Sequence, residues 1–164
     1  MIRLFAMDVD GTLTDGGIYL DGSGAEWKRF DVRDGLGIAK LKSAGVEVCI
    51  ISGRFSAVTQ KRAQELGIEE VHQDVRHKLG FLKELAKERG IAPSEIAYIG
   101  DDDNDAECLK WSGMGFAPSD AQAAARDAAD VVTIARGGFG AVREAIEQII
   151  MSREAEEDSC RHED

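Results

Sequence analysis

The sequence predicts an α/β fold, a parallel sheet with helices on both faces, and three observations carry that prediction. Short apolar runs recur along the chain, and the clearest of them end in acids, Ser-Gly or Gly-Asp. Runs of this kind, without polar alternation, suit strands buried on both faces of a parallel sheet. The stretches between them carry apolar residues at helical spacing, and glycines stand where those helices should stop. Strands that alternate with helices imply right-handed βαβ units.

In chain order, Leu4 to Val9 is the first strand-like run and ends in acids. Residues 16–30 break the rhythm: two short strand-like pieces flank Asp21-Gly22-Ser23-Gly24, a hairpin signal, where an ordinary βα loop has about two to six residues. One helix follows and Gly45 stops it. Val46 to Ile51 is β-branched and runs into Ser52-Gly53. A helix ending at Gly67 and room for a short strand lead to Lys78. Leu79, Leu82, Leu85 and Ala86 then mark a helix between Lys78 and Arg89, stopped by Gly90. Ile96 to Ile99 runs into Gly100-Asp101, and Val131 to Ile134 is another short run. Val142, Ala145, Ile146, Ile149 and Ile150 mark a last helix after Gly140.

The chain has 164 residues, a single-domain length, with a formal charge of −11. The excess of acid argues against nucleic acid and anionic membrane surfaces as partners. Residues 151–164 hold six acids and two arginines, a net of 2 − 6 = −4, and without apolar periodicity they read as a mobile acidic tail on a core of residues 1–150. No apolar stretch reaches the roughly 18 residues of a membrane span. Cys49, Cys108 and Cys160 show neither pairing nor metal-type spacing, which suits a reduced cytoplasmic protein.

Ligands of open α/β sheets bind at the carboxyl ends of the strands. Those ends carry Asp8, Asp10, Gly11 and Thr12 after the first strand and Ser52, Gly53 and Arg54 after the second. Asp101, Asp102, Asp103, Asn104 and Asp105 follow the run at 96–99. Carboxylates gathered this closely must protonate or share a cation. A hard divalent ion fits, with Mg²⁺ using one or two carboxylates, waters and a substrate phosphate. Taken singly, a D-x-D is ordinarily a turn or cap acid, and an acidic run often opens a helix. Their joint placement, each directly after a strand, is what points to one site.

Asp8-Val9-Asp10-Gly11-Thr12, Ser52-Gly53, Lys78 and Gly100-Asp101-Asp102-Asp103-Asn104-Asp105, in that order, resemble the four-motif set of the haloacid dehalogenase (HAD) superfamily. The resemblance covers residues 1–150. It implies a Rossmann-like sheet and a Mg²⁺-dependent phosphomonoesterase with an aspartyl-phosphate intermediate. Asp8 would be the nucleophile, and Asp10 would protonate the leaving alcohol and then deprotonate water. Asp8, the Asp10 carbonyl and Asp101 would hold Mg²⁺. Ser52 would donate to the phosphoryl group and Lys78 would pair with it and with Asp8. Asp102 and Asp105 would orient the lysine and waters.

Most HAD phosphatases carry a cap domain at either of two insertion points, and neither interval here has room for one. The resemblance narrows to the capless subgroup that contains the 3-deoxy-D-manno-octulosonate 8-phosphate phosphatases, through Thr14-Asp15-Gly16, Trp27-Lys28-Arg29-Phe30, Val32 to Ile38, Ser52-Gly53-Arg54 and Arg136 to Glu144. That subgroup is tetrameric, with hairpins packed together and neighbouring subunits covering each site. Ile18, Tyr19, Leu20 and Trp27 on the hairpin would serve that interface. A sugar-acid phosphate is the implied substrate, with Arg54, Gly53, Arg33 and Asp34 as its contacts. Relatives acting on nine-carbon 9-phosphates have Glu at the position of Arg54, so Arg54 favours the eight-carbon acid. The Arg136–Gly140 stretch is either a turn near a neighbouring site or a plain loop.

Three residues depart from the subgroup's pattern: Thr12 for Val, Asp74 for Gly, and His77 for Asp or Asn. A non-catalytic HAD-like oligomerisation domain is the competing reading. It expects damage to at least one catalytic position, and all are present.

Overall fold

Six strands form one sheet in the order β5-β4-β1-β6-β7-β8 in the computed structural model, every neighbouring pair parallel. The structure describes residues 1–161, apart from the side chains of 157 and 159–161. The strands are β1 (Leu4–Met7), β4 (Glu47–Ile51), β5 (Glu70–His72), β6 (Ile96–Ile99), β7 (Met114–Ala117) and β8 (Val131–Val132). β1 lies between β4 and β6, with Leu4 opposite both Glu47 and Ile96. The chain first builds outward on one side of β1 and then on the other. The crevice at the strand ends beside β1 is therefore the topological switch point, where α/β sheets take their ligands.

All four residues of β1 and of β6 are buried, as a central parallel strand requires. Ile38, Leu41, Ala63, Val142, Ile146 and Ile149 cover one face of the sheet. They come from α1 (Val32–Ser43), α2 (Ala57–Glu65) and α6 (Ala141–Arg161). Leu82, Leu85, Leu109 and Ala125 cover the other face, from α3 (Lys78–Arg89), α4 (Ala106–Trp111) and α5 (Ala123–Ala128). Asp31 caps α1 by accepting from the Arg33 amide, and Gly90 ends α3 at φ +60°.

The expected hairpin is present between β1 and α1. β2 (Tyr19–Leu20) pairs antiparallel with β3 (Glu26–Trp27), and a bridge between Thr14 and Phe30 closes its base. It is a protrusion rather than a cap domain, which agrees with the capless reading. Two features differ from the sequence reading. β7 is a full interior strand that Met-Gly-Phe-Ala does not announce, and the acidic segment continues α6 as helix through Arg161. Arg153 ties that extension to the core by donating to the carbonyls of Ile2 and Ala44, and Glu156 pairs with the Met1 ammonium at 2.7 Å. Residues 162–164 of the expected tail lie outside the described residues.

Candidate active site

Asp8 leaves the sheet directly after β1, its amide donating to the Ile99 carbonyl at 3.0 Å. The chain then turns tightly, with the amides of Thr12 and Thr14 both donating to the Val9 carbonyl at 3.1 Å. Gly11 makes the turn possible. Its φ is +87°, and a Cβ there would stand 2.0 Å from Asp101 Oδ2. The missing side chain is what lets an acid from the end of β6 lie over a loop from the end of β1.

Lys78, at the first turn of α3, ties the strand tips together. Its Nζ donates to Asp8 Oδ1 at 2.6 Å and to Asp105 Oδ1 at 2.8 Å. Asp105 is fully buried and saturated. Tyr98 Oη donates to Oδ1 at 2.6 Å, and the amides of Asp101 and Asp102 donate to Oδ2 at 3.1 and 3.2 Å. Burial alone would lower the Lys78 pKa, but Asp8 and Asp105 outweigh it and hold the amine above the usual lysine range. Burial, then the Asp105 charge, push Asp8 well above the carboxylate range, and burial raises Asp101 to about 6.

Oxygens of Asp8, Asp101 and Asp105 lie within 4.8 Å of one another. One lysine cannot neutralise three acids. The surplus charge, the all-oxygen donor set and the occupied lone pairs of Asp105 together fit a hard divalent cation on Asp8 and Asp101. Magnesium is such an ion.

Asp8, Asp10, Ser52, Gly53, Arg54, Lys78, Asp101, Asp102 and Asn104 line one cavity of about 210 Å³. The sequence-selected residues are thus brought together, except three. Asp105 lies beneath the cavity as the anchor for Lys78. Arg33 and Asp34 do not line it. Arg33 pairs with Asp31 at 2.9 Å and donates to the Phe139 carbonyl at 2.9 Å. Asp34 is buried at the α1–α6 contact, where Oδ1 accepts from the Arg143 amide at 2.8 Å and Oδ2 has no hydrogen-bond partner among the described residues. Burial raises its pKa to about 6. Asp102 is exposed and accepts from the Asp103 amide at 2.7 Å.

The Asp10 side chain turns away from the acid cluster. Oδ1 meets Lys28 Nζ, and Oδ2 accepts from Arg54 Nε at 3.3 Å. Arg54 Nη2 in turn donates to Glu26 Oε1 at 2.5 Å, and Ser56 Oγ donates to Glu26 Oε2 at 2.7 Å. Sequence reasoning missed Lys28 and Glu26 as site residues, while Asn104 stood among the strand-end residues it gathered there. The signal for both was period-two alternation: Glu26 and Lys28 face the site while Trp27 between them is exposed.

A model of haloacid dehalogenase-like hydrolases matches residues 70–146. The 3-deoxy-D-manno-octulosonate 8-phosphate phosphatase KdsC of Escherichia coli (strain K12) is 40% identical over 152 residues, 93% of this chain and 81% of that one. The chain belongs to the haloacid dehalogenase superfamily. Solved structures agree. The Moraxella catarrhalis 3-deoxy-D-manno-octulosonate 8-phosphate phosphatase, crystallised with a magnesium ion, a phosphate ion and KDO, superposes with a TM-score of 0.89 at 45% identity, covering 92% of this chain and 86% of that one. The cobalt-bound Haemophilus influenzae phosphatase gives 0.88 at 37% identity, covering 93% and 90%.

In this member of the superfamily the Arg136–Gly140 stretch braces the loop that carries Asp8 and Asp10. A Cβ on Gly137 would stand 1.8 Å from the Gly11 carbonyl oxygen. The Gly138 amide donates to the Thr12 carbonyl at 3.0 Å, and Asp120 Oδ1 accepts from the Gly137 amide at 2.9 Å. Arg29, at the base of the hairpin, donates to the Gly138 carbonyl and stacks 4.0 Å from the Phe139 ring centroid. The three departures acquire physical meaning. Thr12 Oγ1 donates to Asp101 Oδ1 at 3.2 Å, a bond valine lacks. Asp74 sits at φ +59°, the left-handed region that favours glycine, and His77 opens α3 without a side-chain cap.

Proposed function

We propose that this chain is a Mg²⁺-dependent phosphomonoesterase that hydrolyses 3-deoxy-D-manno-octulosonate 8-phosphate to the free sugar acid and phosphate. The observation that carries the reading is the buried constellation of Lys78 between Asp8 and Asp105 with Asp101 alongside, at the ends of β1 and β6. Relatives of 39–40% identity that bear this activity in their names support the substrate.

Asp8 attacks phosphorus and forms the aspartyl-phosphate. Asp10 gives a proton to the departing sugar oxygen and later takes one from the attacking water. Lys78, fixed by Asp105, keeps positive charge beside Asp8 and the phosphoryl oxygens. Ser52, buried with its Oγ donating to the Arg54 carbonyl at 3.0 Å, can re-aim its hydroxyl to a phosphoryl oxygen. Bound to Asp8, Asp101 and the Asp10 carbonyl, Mg²⁺ supplies the positive charge that lets these acids and a phosphate coexist. Asp102, on the rim, orients waters. Arg54 and Gly53 meet the sugar acid. Arg33, exposed on the first turn of α1, would reach a substrate only in a neighbouring subunit's site, whereas Asp34 is buried and would act by holding α1 to α6.

The cavity of about 210 Å³ is smaller than the roughly 300–1,000 Å³ usual for ligand sites. Ile18, Leu20 and Trp27 are each at least 65% exposed on the hairpin beside it. A homotetramer in which hairpins pack and neighbours complete each site accounts for both. Cys49 and Cys108 are unpaired and buried, which suits the reducing cytoplasm. No helix among the described residues is long and apolar enough to cross a membrane.

The deciding experiment compares kcat/KM for the octulosonate 8-phosphate with nonulosonate 9-phosphates in Mg²⁺ buffer. The eight-carbon substrate should win. A preference for nine carbons would overturn the assignment of Arg54, and no turnover on any sugar phosphate would overturn the enzyme reading.

A further inference from the structure

Lys28 stands out among the groups that the chemistry above leaves unused. Its side chain is 1% exposed although it sits on a protruding hairpin. A buried ammonium is costly unless paired, and Asp10 Oδ1 is its one hydrogen-bond acceptor among the described residues. Arg54 touches the other oxygen of Asp10 only at 3.3 Å, is 43% exposed, and has its shorter bond to Glu26. Lys28 therefore fixes one oxygen of Asp10 and leaves Oδ2 free to exchange Arg54 for a ligand. Alternation along β3 and the residue that follows it puts Glu26 and Lys28 on the site side and Trp27 outside, so one arm of the hairpin carries both the exposed apolar face and the contacts to Asp10 and Arg54.

We propose that Lys28 is the positioning residue for Asp10 in proton transfer to the leaving group, and that through it the seating of the hairpin sets the rate of phosphoryl transfer from alkyl esters. The proposal rests on the role given to Asp10 above. In the step concerned, an Asp8 carboxylate oxygen forms a bond to phosphorus. The bond from phosphorus to the sugar oxygen breaks, its electron pair stays on that oxygen, and the oxygen takes the proton held on Asp10 Oδ2. A carboxyl group misplaced by loss of Lys28 delivers that proton poorly, but leaves the attack by Asp8 intact.

The test uses kcat/KM, which reports the chemistry up to the phosphorylated enzyme. Lys28→Met, Lys28→Arg and Asp10→Asn are assayed on the octulosonate 8-phosphate, whose alkoxide needs a proton to leave, and on p-nitrophenyl phosphate, whose phenolate does not. General acid catalysis contributes about 10²–10⁴-fold. A mispositioned acid should forfeit the lower part of that range: Lys28→Met should lose roughly 30-fold or more on the sugar phosphate and less than about 3-fold on the aryl ester. Lys28→Arg should recover most of the loss. In the Asp10→Asn background, Lys28→Met should cost nothing further on the sugar phosphate. Equal losses on both substrates, or additive losses in the double variant, would overturn the proposal. If Asp10→Asn itself fails to distinguish the two substrates, the role of Asp10 falls and the proposal with it. If Asp10→Asn distinguishes them and Lys28→Met does not, only the proposal falls.

Discussion

Gly137→Ala should damage turnover far more than its position, outside all four catalytic motifs, suggests. The new Cβ would lie 1.8 Å from the Gly11 carbonyl oxygen and 2.6 Å from its carbon, whereas contacts under 3.0 Å essentially do not occur. Both partners are backbone, so neither can rotate aside. The two loops must part by at least 3.0 − 1.8 = 1.2 Å. The displaced carbonyl follows Asp10 directly, and Asp101 leans on the same glycine. A misplacement of about 1 Å at reacting groups costs on the order of 10²-fold in rate. Overpacking of this kind costs about 1–3 kcal/mol of stability, or roughly 2–4 °C in Tm per kcal/mol at this chain length. The assay is kcat on the octulosonate 8-phosphate at saturating Mg²⁺, well below the melting transition, with thermal denaturation alongside. Gly22→Ala is the control, because a Cβ there meets nothing within 4 Å. Turnover of Gly137→Ala within about 3-fold of wild type would show that the loop does not brace the site, against the roughly 100-fold loss expected.

Lys78→Met should remove the cation from two acids that are buried against it, costing about 3–5 kcal/mol in denaturant titrations without metal as well as abolishing turnover. Asp34 gives a pH signature away from the active site. Burial holds its folded pKa at about 6, above the ordinary aspartate value of 3.8, so between these values the folded state holds a proton that the unfolded state has lost. Its contribution to stability therefore falls as pH rises from about 4 to 6. Asp34→Asn should flatten that part of the stability profile, and an unchanged slope would contradict the assignment. Asp74→Gly should relieve a left-handed backbone at φ +59° and raise stability by about 0.5–1 kcal/mol in thermal denaturation, because Asp bears part of the strain that glycine does not.

The legible part of the fold was what local pattern determines. The strands at 4–7 and 96–99 and residues 48–51 of the strand at 47–51 are continuous buried apolar runs, and α3 lies between Lys78 and its stop at Gly90 as the leucine spacing requires. β7 was not legible, because Met114 to Ala117 contains a glycine and an alanine and owes its strand form to pairing with β6 and β8. The helical form of 151–161 was hidden for a related reason: long-range contacts of Arg153 and Glu156 hold a segment without an apolar stripe. In the site, residues that stand at strand ends could be named from the sequence. Those that arrive by tertiary approach could not. Lys28 is 18 positions from Asp10, and Gly137 meets Gly11 across most of the chain. Arg33 and Asp34 lie in a string that matches the subgroup, yet their side chains hold α1 to α6 and to the loop before it.

The most direct test of the central claim is the fate of the phosphoryl group. Wild-type enzyme is mixed with the octulosonate 8-phosphate and Mg²⁺, quenched in acid within the first turnover, digested, and read by mass spectrometry. The phosphoryl group should be found on the peptide that contains Asp8, and Asp8→Asn should neither trap it nor turn over. A phosphoryl group on another residue, or steady turnover by Asp8→Asn, would contradict the account.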